Sequence, residues 1–204
     1  TDCAMADPQL VYDIGDRRYI NIGKHCTLRC TFCPKTQGSL LVHEYDLSLP
    51  HQPAASAIIA ALGDLSTISE VVFCGFSEPT LRVPVLLEVA RHVKQQGVPV
   101  RVNTDGLGNL ANQHNILPEL ATCVDSLSIS MNAQNEALYN RHCDPGMPGS
   151  YQAMLDFVRQ APAYIKDVTV TAIEGLEGVD VNACAEQARA LGVNFRTRYL
   201  DQVG

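Results

Sequence analysis

Six short strand-like runs, at 19–22, 70–74, 100–103, 126–131, 167–173 and 194–200, constrain this chain more than any other feature. Each reads as a strand. Helical patterns separate them. Residues 53–62 are alanine-rich, with Pro53 near the start as suits a helix N-terminus. Leu86, Val89, Ala90 and Val93 recur at helical spacing, and Gly97 suits the position after that helix. Residues 115–122 predict a short helix. Residues 151–160 predict one with Met154, Phe157 and Val158 on a single face, and 180–191 one closed by Gly192. This alternation predicts an α/β fold with a parallel sheet and crossover helices. Six strands are too few for a closed eight-stranded barrel. A doubly wound open sheet satisfies the alternation, and in such folds chemistry gathers at the C-terminal strand ends.

Cys26, Cys30 and Cys33 follow the first of these strands. On a helix they would share one face as core cysteines. However, Thr27, Thr31 and Phe32 are indifferent helix formers, and Pro34 disfavours helical backbone at Cys33. Structural zinc usually takes four ligands in two close pairs, and no second Cys-x-x-Cys exists here. His25 is a poorly placed fourth ligand, and three such cysteines cannot all pair as disulfides. Three close thiolates with no obvious fourth favour an iron–sulfur cluster over zinc, with one iron left open.

The run Lys24-His25-Cys26-Thr27-Leu28-Arg29-Cys30-Thr31-Phe32-Cys33-Pro34, with an aromatic before the last cysteine, resembles the signature of radical S-adenosylmethionine (radical SAM) enzymes. The resemblance implies a partial (β/α)6 TIM-like barrel over residues 18–204, after an N-terminal extension at 1–17. It also implies a [4Fe–4S] cluster on Cys26, Cys30 and Cys33, and S-adenosylmethionine as cofactor. In such enzymes an external donor of flavodoxin or ferredoxin type reduces the cluster. Cleavage of S-adenosylmethionine then gives methionine and a 5′-deoxyadenosyl radical that abstracts hydrogen from a substrate.

Other strand ends match the family in order. Gly75-Phe76-Ser77-Glu78-Pro79 resembles its Gly-Gly-Glu-Pro segment, which receives the cofactor's amino group; Ser77 stands where a second glycine is usual. By itself, Glu-Pro also marks a helix start. Asn103-Thr104-Asp105-Gly106 resembles the family's Thr-Asn-Gly strand end, where Asp105 would accept from ribose hydroxyls; Asp-Gly is equally a common turn pair. Ser128, Ser130 and Asn132 share one parity, implying an inward polar row toward the ribose or carboxylate, though a half-buried strand looks alike. Ile173 matches the residue that packs on adenine, as a core isoleucine also would. Phe32 completes the expected cofactor contacts. The runs 71–82 and 103–109 look like the TatD-associated radical SAM subgroup, which suggests a functional link to a TatD-type metallohydrolase.

The chain has 204 residues, 46% of them apolar, enough for one sizeable core. Its net charge of −7 disfavours a broad nucleic-acid surface. No apolar run reaches membrane-span length and no secretory leader opens the chain, so no membrane association is expected. Eight cysteines suggest secretion at first, but Cys74, Cys123 and Cys184 lie in apolar or helical contexts, which points to a reducing cytoplasm. Only Cys184 is available near the C-terminus, so no auxiliary cluster is expected. Residues 43–46 read as a solvated loop, and Cys143, in an irregular stretch at 141–146, as a free thiol. Residues 37–52 and 141–150 are expected to be mobile covers for the site. Three functions remain open: an enzyme acting on a small or nucleotide-like molecule, an activase that installs a radical on a partner protein, and a non-catalytic zinc or electron-transfer module.

Overall fold

A computed structural model describes residues 7–200. Residues 1–6 of the expected N-terminal extension and 201–204 of the expected core lie outside it. The main sheet has seven strands: β1 (Val11–Ile14), β2 (Arg17–Asn21), β5 (Glu70–Cys74), β6 (Val100–Thr104), β7 (Ser126–Ser130), β8 (Asp167–Glu174) and β9 (Asn194–Tyr199). A small hairpin, β3 (Leu41–Val42) and β4 (Tyr45–Asp46), stands apart. The helices are α1 (Ala55–Leu62), α2 (Val83–Gln95), α3 (Gly108–Asn112), α4 (Leu117–Leu120), α5 (Glu136–Cys143), α6 (Ser150–Gln160) and α7 (Val181–Ala190).

The strand order is β1-β2-β5-β6-β7-β8-β9, and every pair from β2 onward is parallel. This order never reverses, which excludes the doubly wound alternative and its central switch point. Right-handed crossovers in one direction place all the helices on one face. That face holds the core: Ile20, Val71, Phe73, Val100, Val102, Leu127, Ile129, Val168 and Val170 pack with Ile58 of α1, Leu86, Val89, Ala90 and Val93 of α2, and Met154, Phe157 and Val158 of α6. The alternate strand residues face away from the helices. There Tyr19 and Val72 form a second apolar cluster with Tyr12, Val42 and Leu47. β3 and β4 thus cover the β1–β2–β5 part of the helix-free face, and the remainder of that face is lined by polar residues. His43 and Glu44 are exposed at the hairpin turn.

β1 pairs antiparallel with β2 and occupies one sheet edge, and β9 occupies the other. No pairing closes the sheet between them among the described residues. Arg196 of β9 nonetheless feels the charge of Arg17 on β2. Five strand spacings of about 4.8 Å would separate those strands by about 24 Å in a flat sheet. The sheet therefore curls, as a partial barrel does.

Most predicted elements are present within a few residues. α5 is the main addition: residues 141–143, expected to be irregular, form its last turn. Asn135 caps it by accepting from the Leu138 backbone N–H at 2.9 Å, and Tyr139, His142 and Cys143 form its buried face. The cap, Glu136 in the first turn and the spacing of these residues were the signal available in sequence. Their modest helix propensities and the following Pro145-Gly146 obscured it.

Candidate active site

The cysteine loop leaves the end of β2 and is held by backbone bonds to two other segments. The Glu78 N–H donates to the His25 carbonyl at 2.8 Å. On the other side, Arg29 N–H donates to the Cys143 carbonyl at 3.0 Å and Thr31 N–H to the His142 carbonyl at 2.8 Å. Gly146 N–H donates to the Thr27 carbonyl at 3.3 Å. Within the 141–150 segment, expected to be a mobile cover, His142, Cys143 and Gly146 bond to the backbone of the cysteine loop. Cys26 is exposed, and Cys30 and Cys33 are half-buried. Phe32 packs against the main core.

The three thiols influence one another electrostatically. Crowding by surrounding atoms, then the negative charges of Asp105 and Glu78, push the Cys26 thiol up to about 12. The Cys30 thiol is also raised, first by its hydrogen bond to Cys143 and then by burial. Cys143 is fully buried, and its Sγ accepts from Asn132 Nδ2 at 3.5 Å. Sequence reasoning left Cys143 without a neighbour; the structure puts it beside a motif cysteine. Among the described residues, no three His, Cys, Asp or Glu side chains converge on one metal ion. A cubane cluster does not require this, since each cysteine binds a different iron.

Glu78 and Asp105 form a buried carboxyl pair beside Cys26. Glu78 Oε1 accepts from Thr80 Oγ1 and Thr104 Oγ1, each at 2.6 Å, and from the Thr80 N–H at 3.1 Å. It caps the short turn Pro79–Arg82, so the helix-start reading of Glu-Pro describes its local geometry. Asp105 accepts from the Thr27 hydroxyl and from the Leu107 N–H at 2.9 Å. Burial, followed by the charge of Glu78, raises the Asp105 carboxyl well above its ordinary range. Thr27, Thr80 and Thr104 escaped sequence reasoning because a threonine near a strand end is unremarkable until its partner is known.

The remaining predicted residues lie at neighbouring strand ends. Gly75 adopts φ +105°, and a Cβ there would approach Asn21 Oδ1 to 3.2 Å. Ser77 keeps ordinary negative φ, so the bend needs only the first glycine. Phe76 is half-buried against the second apolar cluster. Asn103 donates to Cys74 Sγ at 3.4 Å and accepts from Arg101 at 3.3 Å. Ser128 is buried and Ser130 half-buried on the helix-free face. Asn132 lies beyond β7 with φ +66°, so strand parity does not extend to it. Ile173 is buried but belongs to neither apolar cluster. A cleft of about 390 Å³ runs between the cysteine loop and the end of β8, lined by Phe32, His142, Gly175 and Leu200 among others.

Among the described residues, three buried oxygens lack a hydrogen-bond partner: Ser77 Oγ, Asn132 Oδ1 and Tyr139 OH. Such groups are rare because each costs about 1–3 kcal/mol. Two of them stand at expected cofactor positions. The soft thiol set suits an iron–sulfur cluster, and the free oxygens and carboxyl pair suit a cationic ligand with hydrogen-bonding groups.

A sequence model described as the radical SAM superfamily matches residues 20–189. No curated protein matches the chain. Among solved structures, TYW1 with a lysine–pyruvate adduct bound is 16% identical, at a TM-score of 0.65, over 92% of this chain and 66% of that one. A radical SAM methyltransferase from Sphaerobacter thermophilus is 15% identical, at 0.60, over 93% and 68%. Streptococcus suis SuiB bound to its precursor peptide SuiA is 14% identical, at 0.66, over 90% and 39%. At these identities the likeness concerns the fold, and the chain spans about two thirds or less of each structure's length.

Proposed function

The chain belongs to the radical SAM superfamily and is a radical SAM enzyme, and on that premise we propose that Cys26, Cys30 and Cys33 hold a [4Fe–4S] cluster facing S-adenosylmethionine at the strand ends. The observation that carries this is the juxtaposition of the cysteine loop with the orphaned Ser77 and Asn132 oxygens and the Glu78–Asp105 pair. When bound, the cluster and cofactor supply the 5′-deoxyadenosyl radical that abstracts hydrogen from substrate. The chain's own residues position and shield. Gly75, Phe76 and Ser77 present backbone and hydroxyl to the amino group, with Glu78 fixing their height. Asn103, Asp105, Ser128, Ser130 and Asn132 receive ribose and carboxylate, and Phe32 and Ile173 flank adenine. Exposed Cys26 leaves a side for an external reductant of flavodoxin or ferredoxin type.

The substrate is a small or nucleotide-like molecule on the helix-free face. The runs 71–82 and 103–109 support placement in the TatD-associated subgroup, with a functional link to a TatD-type metallohydrolase. An activase role is the second reading: SuiB, of like fold, binds a peptide. No described helix is long and apolar enough to cross a membrane, and the cysteine usage supports a reducing compartment. Anaerobic reconstitution followed by strong reduction should yield 5′-deoxyadenosine from S-adenosylmethionine. A fully iron-loaded protein that neither binds nor cleaves it would overturn the assignment.

A further inference from the structure

Acidic residues outnumber basic ones in this chain by 22 to 15, yet one face carries a group of arginines. Strand alternation and register put Arg17, Arg101, Arg196 and Arg198 on the helix-free side of the sheet. Arg101 aligns with Ser126, Arg196 with Thr171, and Arg198 with Ile173. The acids on this face are Glu70, Asp105 and Asp167. Glu70 is already shared: its Oε1 meets Arg17 Nε at 3.4 Å and Arg101 Nε at 3.1 Å. Asp105 is buried and tied to Thr27, and Asp167, at the N-terminal end of β8, is in register with Ser126 and so in the row of Arg101, four residues before Thr171, the partner of Arg196. Among the described residues, neither Arg196 nor Arg198 takes part in an ion pair or a side-chain hydrogen bond.

Like charges so placed repel. Arg196 is exposed, and its guanidinium is pushed down first by the crowding of surrounding atoms and then by Arg101 and Arg198. Folding alone gives no reason to gather unpaired cations here. S-adenosylmethionine brings a single carboxylate, whose proposed seat is at the ends of β6 and β7, so Arg196 and Arg198 on β9 are left over. Resting on the radical SAM reading of the same face, we propose that Arg196 and Arg198, backed by Arg101, bind an anionic group of the substrate, a carboxylate or phosphate, and so select a compact anionic small molecule. The planar guanidinium fork matches both groups in bidentate fashion. Ser126, Thr169 and Thr171 on the same face offer hydroxyls for its remaining polar atoms.

The test uses the full chain, anaerobically reconstituted, in low-salt buffer. Inorganic phosphate and malonate serve as separate probes in calorimetric titrations, and the tighter one identifies the preferred group. Saturable binding of at least one is expected. It should weaken tenfold or more in Arg196→Gln/Arg198→Gln and stay unchanged in Arg159→Gln, an exposed helix position. In the unaltered protein, probe-dependent shifts of arginine Nε–H resonances should be confined to Arg101, Arg196 and Arg198, a readout that survives if the double variant folds poorly. Absence of saturation with both probes, equal binding by both variants, or shifts spread over surface arginines would overturn the proposal. Iron content and S-adenosylmethionine cleavage are measured in parallel. A loaded, cofactor-cleaving protein without an anion site sinks this inference alone, whereas an anion site in a protein that takes up no cluster sinks the radical SAM assignment instead.

Discussion

The Asp105 backbone N–H donates to Glu78 Oε2 at 2.8 Å and joins the end of β6 to the loop after β5. With the bonds from Thr80 and Thr104 to Oε1, one carboxylate sets the relative height of two strand ends. Glu78 is therefore part of the frame of the site, whatever it contributes to cofactor binding.

Replacing it has a cost in stability. Glu78→Ala would leave four buried donors without an acceptor, and should destabilise the protein by about 3 kcal/mol or more. Glu78→Gln keeps one acceptor oxygen and should lose less. Urea unfolding of the cluster-free proteins measures both; an alanine variant as stable as the parent would refute this wiring.

Asp105 makes stability depend on pH. Its folded pKa lies well above the ordinary 3.8 because of burial and then Glu78. A carboxyl raised in this way contributes stability fully below its unfolded pKa, and that contribution is lost as pH rises through the folded value. Across that window the cluster-free protein should lose stability with rising pH, and Asp105→Asn should flatten the loss. Parallel curves for parent and variant would count against the buried pair.

The four neighbouring cysteines should separate by role. Cys26→Ala, Cys30→Ala and Cys33→Ala should each abolish cluster assembly after anaerobic reconstitution. Cys143→Ala should keep its iron despite the Cys30 contact. Iron and sulfide analysis decides; iron lost from the Cys143 variant and retained in one of the others would replace the ligand set.

Gly106 ends the Asn103–Gly106 motif at φ +79°, and a Cβ there would meet Ile129 Cγ2 at 2.9 Å and Met154 Cγ at 3.1 Å. Backbone strain and overlap together should make Gly106→Ala less stable by about 2 kcal/mol. Thermal unfolding checks this, and an unchanged midpoint would mean that the turn is not as described.

Much of the frame was legible because its signals are local. β5 was readable from Glu-Val-Val-Phe-Cys, and α2 from the spacing of Leu86, Val89, Ala90 and Val93. β1 and the β3–β4 hairpin were not, since their two- to four-residue runs carry too little pattern and are stabilised by packing Tyr12 and Val42 on Tyr19 and Val72. The candidate residues were visible through motif spacing. Their partners, Thr27, Thr80, Thr104 and Cys143, were not, because nothing adjacent to them in sequence marks a hydrogen bond to a distant strand.

Sequence by itself determined the strand–helix alternation, the three-cysteine loop and the polar character of the strand ends, since each depends on residues within a few positions of one another. Tertiary structure alone decided the single direction of winding, the docking of α5 beneath the cysteine loop, the Glu78–Asp105 lock and the gathering of Arg17, Arg101, Arg196 and Arg198. These depend on strand register and sheet curl. Closing a longer loop costs only slightly more entropy than closing a shorter one, so such contacts join positions whose separation leaves no trace in local pattern.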